Sequence, residues 1–348
     1  MPLLEVKNVT IEYAVEHGKM VAVEDVSFTL EEGEAMGLVG ESGCGKTTMA
    51  KALMRLLASN GAITKGQILF DGVDLVSLSK EEMRQMRHER IAMVSQSAMN
   101  SLNPVKTVGH QIMEGILAHR KMPKKDAYDR AVEVFAMVGL EEKRLKAFPH
   151  QRSGGMKQRA IIAMALSLQP KLIIADEPTT ALDVVVQDNI LEQIKQIAKD
   201  TNSALILITH DISVVAEICD SILVMYGGKV MERSDTDSFF VSPRHPYSLG
   251  LQNAFPTLQS MADKLISIPG SPPDLTVTQT GCRFQQRCPF MTERCQTVEP
   301  PLEQVANDQF SACHYNDQHA RFVQEAKEES SWQRVQDRIV EDLRRDLL

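Results

Sequence analysis

The stretch GESGCGKTT at residues 40–48 constrains the fold of this 348-residue chain more than any other stretch. It matches the pattern G-x-x-x-x-G-K-[ST], in which glycines let backbone N–H groups turn toward a triphosphate and a helix N-terminus adds partial positive charge. An apolar run that ends at Val39 precedes it, and a helix-forming run begins at Met49. Strand, loop and helix in this order predict an α/β core with a phosphate-binding loop, which we call the phosphate loop.

Lys46 and Thr47 carry the predicted chemistry of the phosphate loop. The Lys46 ammonium would reach the β and γ phosphates of ATP, and the Thr47 hydroxyl would ligate Mg²⁺. The alternative is a glycine-rich turn that binds nothing, but a lysine and a threonine at this offset argue against it. The residues predicted to hold the nucleotide are Gly40, Ser42, Gly43, Cys44, Gly45, Lys46, Thr47 and Thr48.

Charge and hydropathy exclude some classes of function. The formal net charge of -8 argues against a protein that neutralises nucleic-acid phosphates, so no nucleic-acid partner is expected. No apolar run approaches the ~18 to 20 residues of a membrane span, and residues 1–5 lack a basic-then-apolar signal pattern. We therefore expect a cytoplasmic chain with one large domain and a smaller one.

Two apolar runs end in polar side chains suited to hydrolysis. Residues 171–177 predict a buried strand that delivers Asp176 and Glu177 to its carboxyl end, where α/β sites lie. Asp176 suits Mg²⁺ through water, and Glu177 suits polarising the attacking water. Residues 204–209 predict another strand, which ends in His210. That histidine is either structural or a hydrogen-bond partner of the γ-phosphate.

Gln96 and Tyr13 are further candidates for the nucleotide site. Gln96 leaves a predicted strand at residues 91–95, and its side chain could ligate Mg²⁺ and orient water. The loop at residues 97–106 is then free to touch a partner, with Leu102 and Pro104 as candidate contacts. Tyr13 either stacks on adenine or is a half-buried strand residue, and the pattern alone favours neither.

The remaining patterns predict a small sheet and a helical insertion. Residues 4–15 and 21–30 alternate as strands of an antiparallel sheet. Residues 108–140 have helical periodicity with a break at Pro123. The segment Ser153-Gly154-Gly155 begins another helix that is suited to phosphate, although such triplets are usually caps or linkers.

An ordered series of motifs closely resembles the nucleotide-binding subunit of an ABC transporter. The series comprises the phosphate loop, Gln96, residues 153–158, the pair Asp176 and Glu177, residues 181–183, and His210. The resemblance covers about residues 3–235. It implies a nucleotide-binding domain at 1–240, with an antiparallel β subdomain and a helical subdomain at about 97–168.

The resemblance also implies that two such domains sandwich two ATP molecules. Each ATP lies between the phosphate loop of one chain and the signature motif of the other, which is residues 153–158 here. A leucine normally precedes the signature serine, whereas this chain has Arg152. The further nucleotide-binding residues implied are Ser153, Gly154, Gly155, Gln158 and Asp183, with Gln96, Glu177 and His210 as catalytic residues.

Further segments look like the dipeptide and oligopeptide importer branch of this family. They are residues 96–104, 148–151, 243–247, 269–273 and 281–284. The branch implies two transmembrane permease subunits, a second ATPase subunit that is identical or a paralogue, and an extracytoplasmic solute-binding protein acting indirectly. The chain would then lie on the cytoplasmic face of the membrane and use ATP to power peptide import.

Four C-terminal cysteines predict a metal site. Cys282, Cys288, Cys295 and Cys313 are separated by five, six and seventeen residues. Zinc sites usually contain cysteine pairs only ~2 to 4 residues apart, so this spacing favours a 4Fe-4S cluster over zinc, with unlinked structural cysteines as the remaining alternative. The importer branch carries an iron-sulfur domain whose ligand pattern fits these cysteines, at residues 241–320. Because the ATP motifs lie far upstream, losing the cluster is expected to change nucleotide affinity little.

A charged terminal segment at residues 321–348 predicts an amphipathic helix. Its apolar stripe is either packed on its own domain or directed to a neighbouring subunit. The stripe comprises Trp332, Val335, Ile339, Leu343 and Leu347.

Three other functions are weighed against peptide import. An importer ATPase for nickel, glutathione or an oligosaccharide would share the same motifs. A soluble ABC ATPase that acts on DNA or ribosomes would need a long coiled coil or a second ATPase unit, and this sequence has neither. A redox protein that senses through its cluster would require that the ATPase motifs have no function in this chain.

Overall fold

The computed structural model describes residues 1–95, 101–179, 184–254 and 266–346. Its strands are β1 (Leu4–Val15), β2 (Gly18–Leu30), β3 (Ala35–Val39), β4 (Gly61–Phe70), β5 (Val73–Asp74), β6 (Ile91–Val94), β7 (Leu172–Asp176), β8 (Ala204–Thr209), β9 (Ser221–Tyr226), β10 (Lys229–Asp235), β11 (Glu303–Ala306) and β12 (Gln309–Ser311).

All four described ranges of the chain contain α-helices. They are α1 (Lys46–Leu53), α2 (Lys80–Glu89), α3 (Val108–His119), α4 (Lys124–Met137), α5 (Gly154–Leu166), α6 (Val184–Asp200), α7 (Ile212–Ile218), α8 (Thr236–Val241), α9 (Pro246–Asn253), α10 (Glu293–Thr297), α11 (His319–Glu325) and α12 (Glu329–Asp346). No helix within the described part of the chain is long and apolar enough to span a bilayer.

Within the described ranges, the main sheet has eight strands in the order β11-β12-β10-β9-β3-β8-β7-β6. The strands from β9 to β6 pair in parallel. Every residue of β7 and β8 is buried, as expected for parallel strands covered on both faces. The predicted α/β core is therefore confirmed, and it brings the carboxyl ends of β3, β7 and β8 to one edge.

The predicted antiparallel sheet is also confirmed, with two strands added. Its order is β2-β1-β4-β5. The first part of strand β4 pairs with the end of β1, for example Gly61 opposite Tyr13. The helical insertion is confirmed as α3 and α4, and α4 begins directly after Pro123.

The C-terminal region, which begins at about residue 241, continues the main sheet through β11 and β12. The small cysteine-rich domain that we expected at residues 241–320 stays a prediction. Strand β12 pairs with β10, with Glu232 opposite Ser311 and Arg233 opposite Phe310. An unpaired edge of β10 would leave backbone groups without partners, and β12 satisfies them. The side chains of Cys282 and Cys288 also belong to the same buried cluster as the main sheet.

Two helices, α11 and α12, occupy most of the segment at residues 321–348 that we predicted as one amphipathic helix, with a break at residues 326–328. Trp332 and Val335 are buried, and the Trp332 indole N–H donates a 2.8 Å hydrogen bond to the Ala326 carbonyl. The first part of the apolar stripe therefore packs on its own chain. The side chain of Leu343 and the whole of Leu347 lie outside the described residues.

Candidate functional site

The phosphate loop connects β3 to α1 in a backbone conformation that requires glycine. Gly40, Gly43 and Gly45 have φ angles of 149°, 81° and 105°. A Cβ atom on Gly40 would lie 2.1 Å from the Met225 carbonyl oxygen, and one on Gly45 would lie 2.6 Å from the Ala22 carbonyl oxygen. The loop is thus pressed against its neighbours, and only glycine fits at these two positions.

Lys46 is held inside the phosphate loop by backbone carbonyls. Its Nζ donates to Gly40 O at 2.6 Å and to Glu41 O at 2.9 Å, and lies 3.5 Å from Cys44 Sγ. Burial raises the pKa of the Cys44 thiol, so the thiol remains protonated beside the lysine. The ammonium is therefore preorganised at the loop predicted to cradle the phosphates.

Thr47 and Asp176 converge as the sequence predicts. The Thr47 hydroxyl donates a 3.1 Å hydrogen bond to Asp176 Oδ1 at the end of β7. Burial raises the pKa of the Asp176 carboxyl; the Thr47 hydrogen bond opposes this shift, and the charge of Glu177 adds to it. Hydroxyl and carboxylate oxygens are ligands that Mg²⁺ prefers, so the two side chains fit the ion expected with ATP.

Glu177 and His210 lie together where neighbouring parallel strands end. The His210 Nδ1 atom is 3.4 Å from Glu177 Oε1, and the histidine side chain is 70% exposed. The Glu177 N–H donates to Ile208 O at 2.9 Å, which ties β7 to β8 at this point. Glu177 has a φ of 45°, a conformation that costs a non-glycine residue free energy and is concentrated at functional sites.

Of three other predicted site residues, two lie outside the described part of the chain and one is a strand residue. Gln96 and Asp183 lie outside the described residues. The Tyr13 ring lies against Gly61, because a Cβ on that glycine would be 2.5 Å from Tyr13 Cε1. Tyr13 is therefore a half-buried strand residue, and its stacking on adenine stays a prediction.

The signature motif begins α5. Ser153 is the N-cap residue, and Ser153 and Gly154 are exposed. The Gln158 side chain is buried, and its amide donates to the Pro178 carbonyl, directly after the Asp176 and Glu177 pair. Gln158 therefore contacts its own chain, while the exposed start of the motif is accessible to a partner.

Arg152 is buried beside the signature motif with incomplete hydrogen bonding. Its Nη2 donates to the Arg144 carbonyl, and its guanidinium carbon lies 5.5 Å from the Phe135 ring centroid. The Nε and Nη1 atoms have no hydrogen-bond partner in the described protein. Burial lowers the pKa of Arg152, and the nearby Arg144 charge adds to this effect.

We expect Arg152→Leu to raise the free energy of unfolding by about 1–2 kcal/mol, because it replaces a buried, partly unpaired cation with an apolar side chain. Chemical denaturation of the full chain measures this, with the exposed Arg84→Leu as the matched control. An unchanged or lower stability would show that Arg152 has a compensating partner.

The loop after β6 differs from the prediction in one respect. Leu102 is buried in the hydrophobic core, so the expectation that it meets a partner is wrong. Pro104 is exposed, and its contact with a partner stays a prediction. Ser101 instead lines an open groove between α1, β6 and α5. We call this the α1–α5 groove; its other lining residues include Met54, Leu56, Arg87, Met93 and Met164.

The four C-terminal cysteines lie around one cavity, which we call the cysteine cavity. Aromatic side chains, including those of Phe284, Phe290 and Phe322, complete its lining. Within the described ranges, no set of three or more His, Cys, Asp or Glu side chains is placed to hold a single metal ion. The cysteines thus share a cavity but do not converge on one point. The four are Cys282, Cys288, Cys295 and Cys313.

Sequence reasoning missed the contact between the C-terminal region and the phosphate loop. Arg287 and Tyr247 both hydrogen-bond to Glu41. Because the ATP motifs lie far upstream of the C-terminal cysteines, the sequence suggested that the two regions do not affect each other. In the structure, Glu41 of the phosphate loop directly contacts Tyr247 and Arg287. In the sequence, Glu41 is distinguished only as part of the phosphate loop. Nothing in the sequence pairs it with an arginine 246 positions later.

Comparisons with known proteins agree with the motifs. A family profile described as "ABC transporter" matches residues 23–180, and one described as "Oligopeptide/dipeptide transporter, C-terminal region" matches residues 231–295. The oligopeptide transport ATP-binding protein OppD of Salmonella typhimurium is 47% identical over 313 residues, covering 89% of this chain and 93% of the relative. The dipeptide transport ATP-binding protein DppD of Escherichia coli is 42% identical over 317 residues, covering 90% and 97%.

Solved structures show the same fold. A dimeric bacterial ABC transporter cassette superposes with a TM-score of 0.61 at 31% identity, covering 67% of this chain and 98% of the other. A dimeric ATP-binding cassette bound to ADP and phosphate in a post-hydrolysis state gives a TM-score of 0.61 at 30% identity, with the same coverage.

Proposed function

This chain belongs to the ABC transporter family, in the branch of the oligopeptide and dipeptide ATP-binding subunits, and from this premise we propose how its residues use ATP to power peptide import. It is the ATP-hydrolysing subunit of a peptide importer. The observation that carries the residue assignments is the Thr47–Asp176 hydrogen bond with the Glu177–His210 contact beside it.

ATP binding is assigned to the phosphate loop. Lys46, already fixed by two carbonyls, meets the β and γ phosphates. Mg²⁺, when bound with ATP, neutralises phosphate charge; the oxygens of Thr47 and Gln96 would hold it directly, and Asp176 would hold it through water. Tyr13 is the proposed platform for adenine.

Hydrolysis is assigned to Glu177. Its carboxylate accepts a proton from the attacking water, and the adjacent His210 orients the carboxylate and hydrogen-bonds the γ-phosphate. The positive φ of Glu177 sets the direction of this side chain at the end of β7.

Complete ATP sites are proposed to need a second ATPase subunit, identical or paralogous. The exposed Ser153 and Gly154 would contact the ATP of that partner, together with Gly155 and Asp183. The dimeric state of the solved cassettes supports this arrangement.

The α1–α5 groove is the proposed docking site for a permease. Leu56 at its rim is 49% exposed, and Met54, Met93 and Met164 offer adaptable apolar surface. The groove adjoins Ser101, in the loop that follows Gln96. A permease helix seated there would place this chain at the cytoplasmic face of the membrane, with two permeases per transporter and a solute-binding protein acting indirectly from outside.

We expect Leu56→Glu to lower peptide transport about tenfold or more while ATP affinity stays within about twofold, because a charge in the groove opposes permease docking. Uptake and nucleotide titration on the same preparations measure the two effects. Val73→Glu is the control, since Val73 is exposed elsewhere at 41%. Parallel loss of transport and ATP affinity would assign the groove to the nucleotide site.

The cysteine cavity is proposed to hold a 4Fe-4S cluster. The thiolates of these four cysteines would hold the cluster. The support for this proposal is that the four cysteines line one cavity and that their wide spacing along the chain favours a cluster over zinc. The names of the relatives favour peptides over nickel, glutathione or oligosaccharides as cargo.

A further inference from the structure

Arg287 forms a bidentate ion pair with the phosphate loop. Its Nη1 lies 2.6 Å from Glu41 Oε2, and its Nη2 donates to Glu41 Oε1 at 2.9 Å. Glu41 directly follows Gly40, the first glycine of the loop. Two parallel N–H···O bonds fix both the distance and the orientation of the carboxylate.

The Arg287 guanidinium is itself rigidly held. Arg287 is 3% exposed, and its guanidinium also donates to the Pro269 carbonyl at 2.7 Å, the Ile268 carbonyl at 3.2 Å and the Tyr226 hydroxyl at 3.2 Å. A buried arginine with this many partners has little freedom to follow a moving loop. It therefore anchors Glu41 to the C-terminal region.

Tyr247 holds the backbone of the same residue. The Glu41 N–H donates a 2.9 Å hydrogen bond to the Tyr247 hydroxyl. The Tyr247 ring is fully buried against Tyr226 and Phe284, with centroid distances of 4.7 and 5.2 Å. Glu41 is thus fixed at both its side chain and its main chain.

The position of Glu41 affects Lys46, the residue proposed to meet the phosphates. The Glu41 carbonyl is one of the two that accept from Lys46 Nζ, so a shift of Glu41 moves an acceptor of the lysine. Arg287 also neutralises a carboxylate that would otherwise place negative charge in the loop next to the triphosphate.

We propose that the C-terminal region clamps the phosphate loop, with Arg287 and Tyr247 as positioning residues that act on ATP binding through Glu41. The proposal rests on the proposed binding of ATP in this loop. Neither residue touches the nucleotide; each determines where Glu41 and Lys46 lie and what charge the phosphates meet.

The clamp can be tested by charge removal and rescue in the full chain. We expect Arg287→Gln to weaken ATP binding about tenfold, because it leaves Glu41 unpaired in the loop. The double variant Arg287→Gln, Glu41→Gln removes the stranded charge, and its affinity should return to within about threefold of wild type. In the assembled transporter, KM for ATP should rise in Arg287→Gln while kcat stays within about twofold.

Arg283→Gln is the matched control. Arg283 is also buried in the C-terminal region and also pairs with a glutamate, Glu24, but this pair lies outside the phosphate loop. We expect its ATP affinity to stay within about twofold of wild type. Tyr247→Phe removes only one hydroxyl and should weaken ATP binding about threefold, so it decides the question if Arg287→Gln does not fold.

Several results would overturn the clamp. Wild-type affinity in Arg287→Gln, or in Tyr247→Phe where the first variant does not fold, would do so. Equal losses in Arg283→Gln and Arg287→Gln would instead show general loosening of the C-terminal region, and absence of rescue in the double variant would exclude the charge argument. Failure of the wild-type chain to bind ATP would refute the proposed nucleotide site itself, which is a separate outcome.

Discussion

Replacing Glu177 by glutamine is expected to lower ATP hydrolysis at least about 100-fold while leaving ATP affinity unchanged. The amide keeps the size of the side chain and its place beside His210, but it cannot accept the proton of the attacking water. ATP-bound dimers should therefore accumulate. The measurement is steady-state ATPase activity of the assembled complex, with size-exclusion chromatography in the presence of ATP.

The exposed Glu217→Gln is the control, because it removes the same charge from the surface of α7. It should hydrolyse ATP at the wild-type rate. Near wild-type hydrolysis in Glu177→Gln would exclude this residue as the principal catalytic carboxylate, and loss of ATP binding would show that it holds the nucleotide instead.

The second large effect concerns the cysteine cavity. Anaerobically purified protein should be brown and contain about four irons and four acid-labile sulfides per chain, because a cluster of this kind is held by four cysteine thiolates. Each Cys→Ser change at the cavity should weaken or abolish it. Cys219→Ser is the control, since this buried cysteine is absent from the cavity lining.

Stoichiometric zinc without sulfide would refute the cluster but keep a metal site, and absence of metal in every preparation would refute both.

The contact between Arg287 and Glu41 also changes the expectation that losing the cluster leaves ATP affinity unaffected. Cys288 directly follows Arg287, so Cys288→Ser should weaken nucleotide binding as well, contrary to what the distance along the sequence suggests.

Local rules account for what the sequence predicts correctly. Parallel strands end at one edge of a sheet, so the apolar runs before Asp176 and His210 were enough to bring these residues near the phosphate loop. Glycine at positions 40 and 45 likewise follows from the backbone the loop needs.

Contacts between distant segments account for the rest. Periodicity does not show that β12 pairs with β10, because edge pairing depends on which backbone groups remain free after folding. Nor does it distinguish a loop leucine on the surface from one in the core, as Leu102 shows. The ion pair between Glu41 and Arg287 leaves no pattern in either local sequence.

Peptide uptake by cells that depend on this chain tests the central claim most directly, namely that ATP hydrolysis at the site around Lys46, Asp176 and Glu177 powers peptide import. The measurement compares accumulation of a labelled tripeptide in cells carrying the wild-type chain and in cells carrying Glu177→Gln, at equal levels of assembled transporter. We predict rapid uptake with the wild type and only background uptake with the variant. Undiminished uptake in the variant, or a wild-type transporter that moves nickel, glutathione or an oligosaccharide but no peptide, would contradict the account.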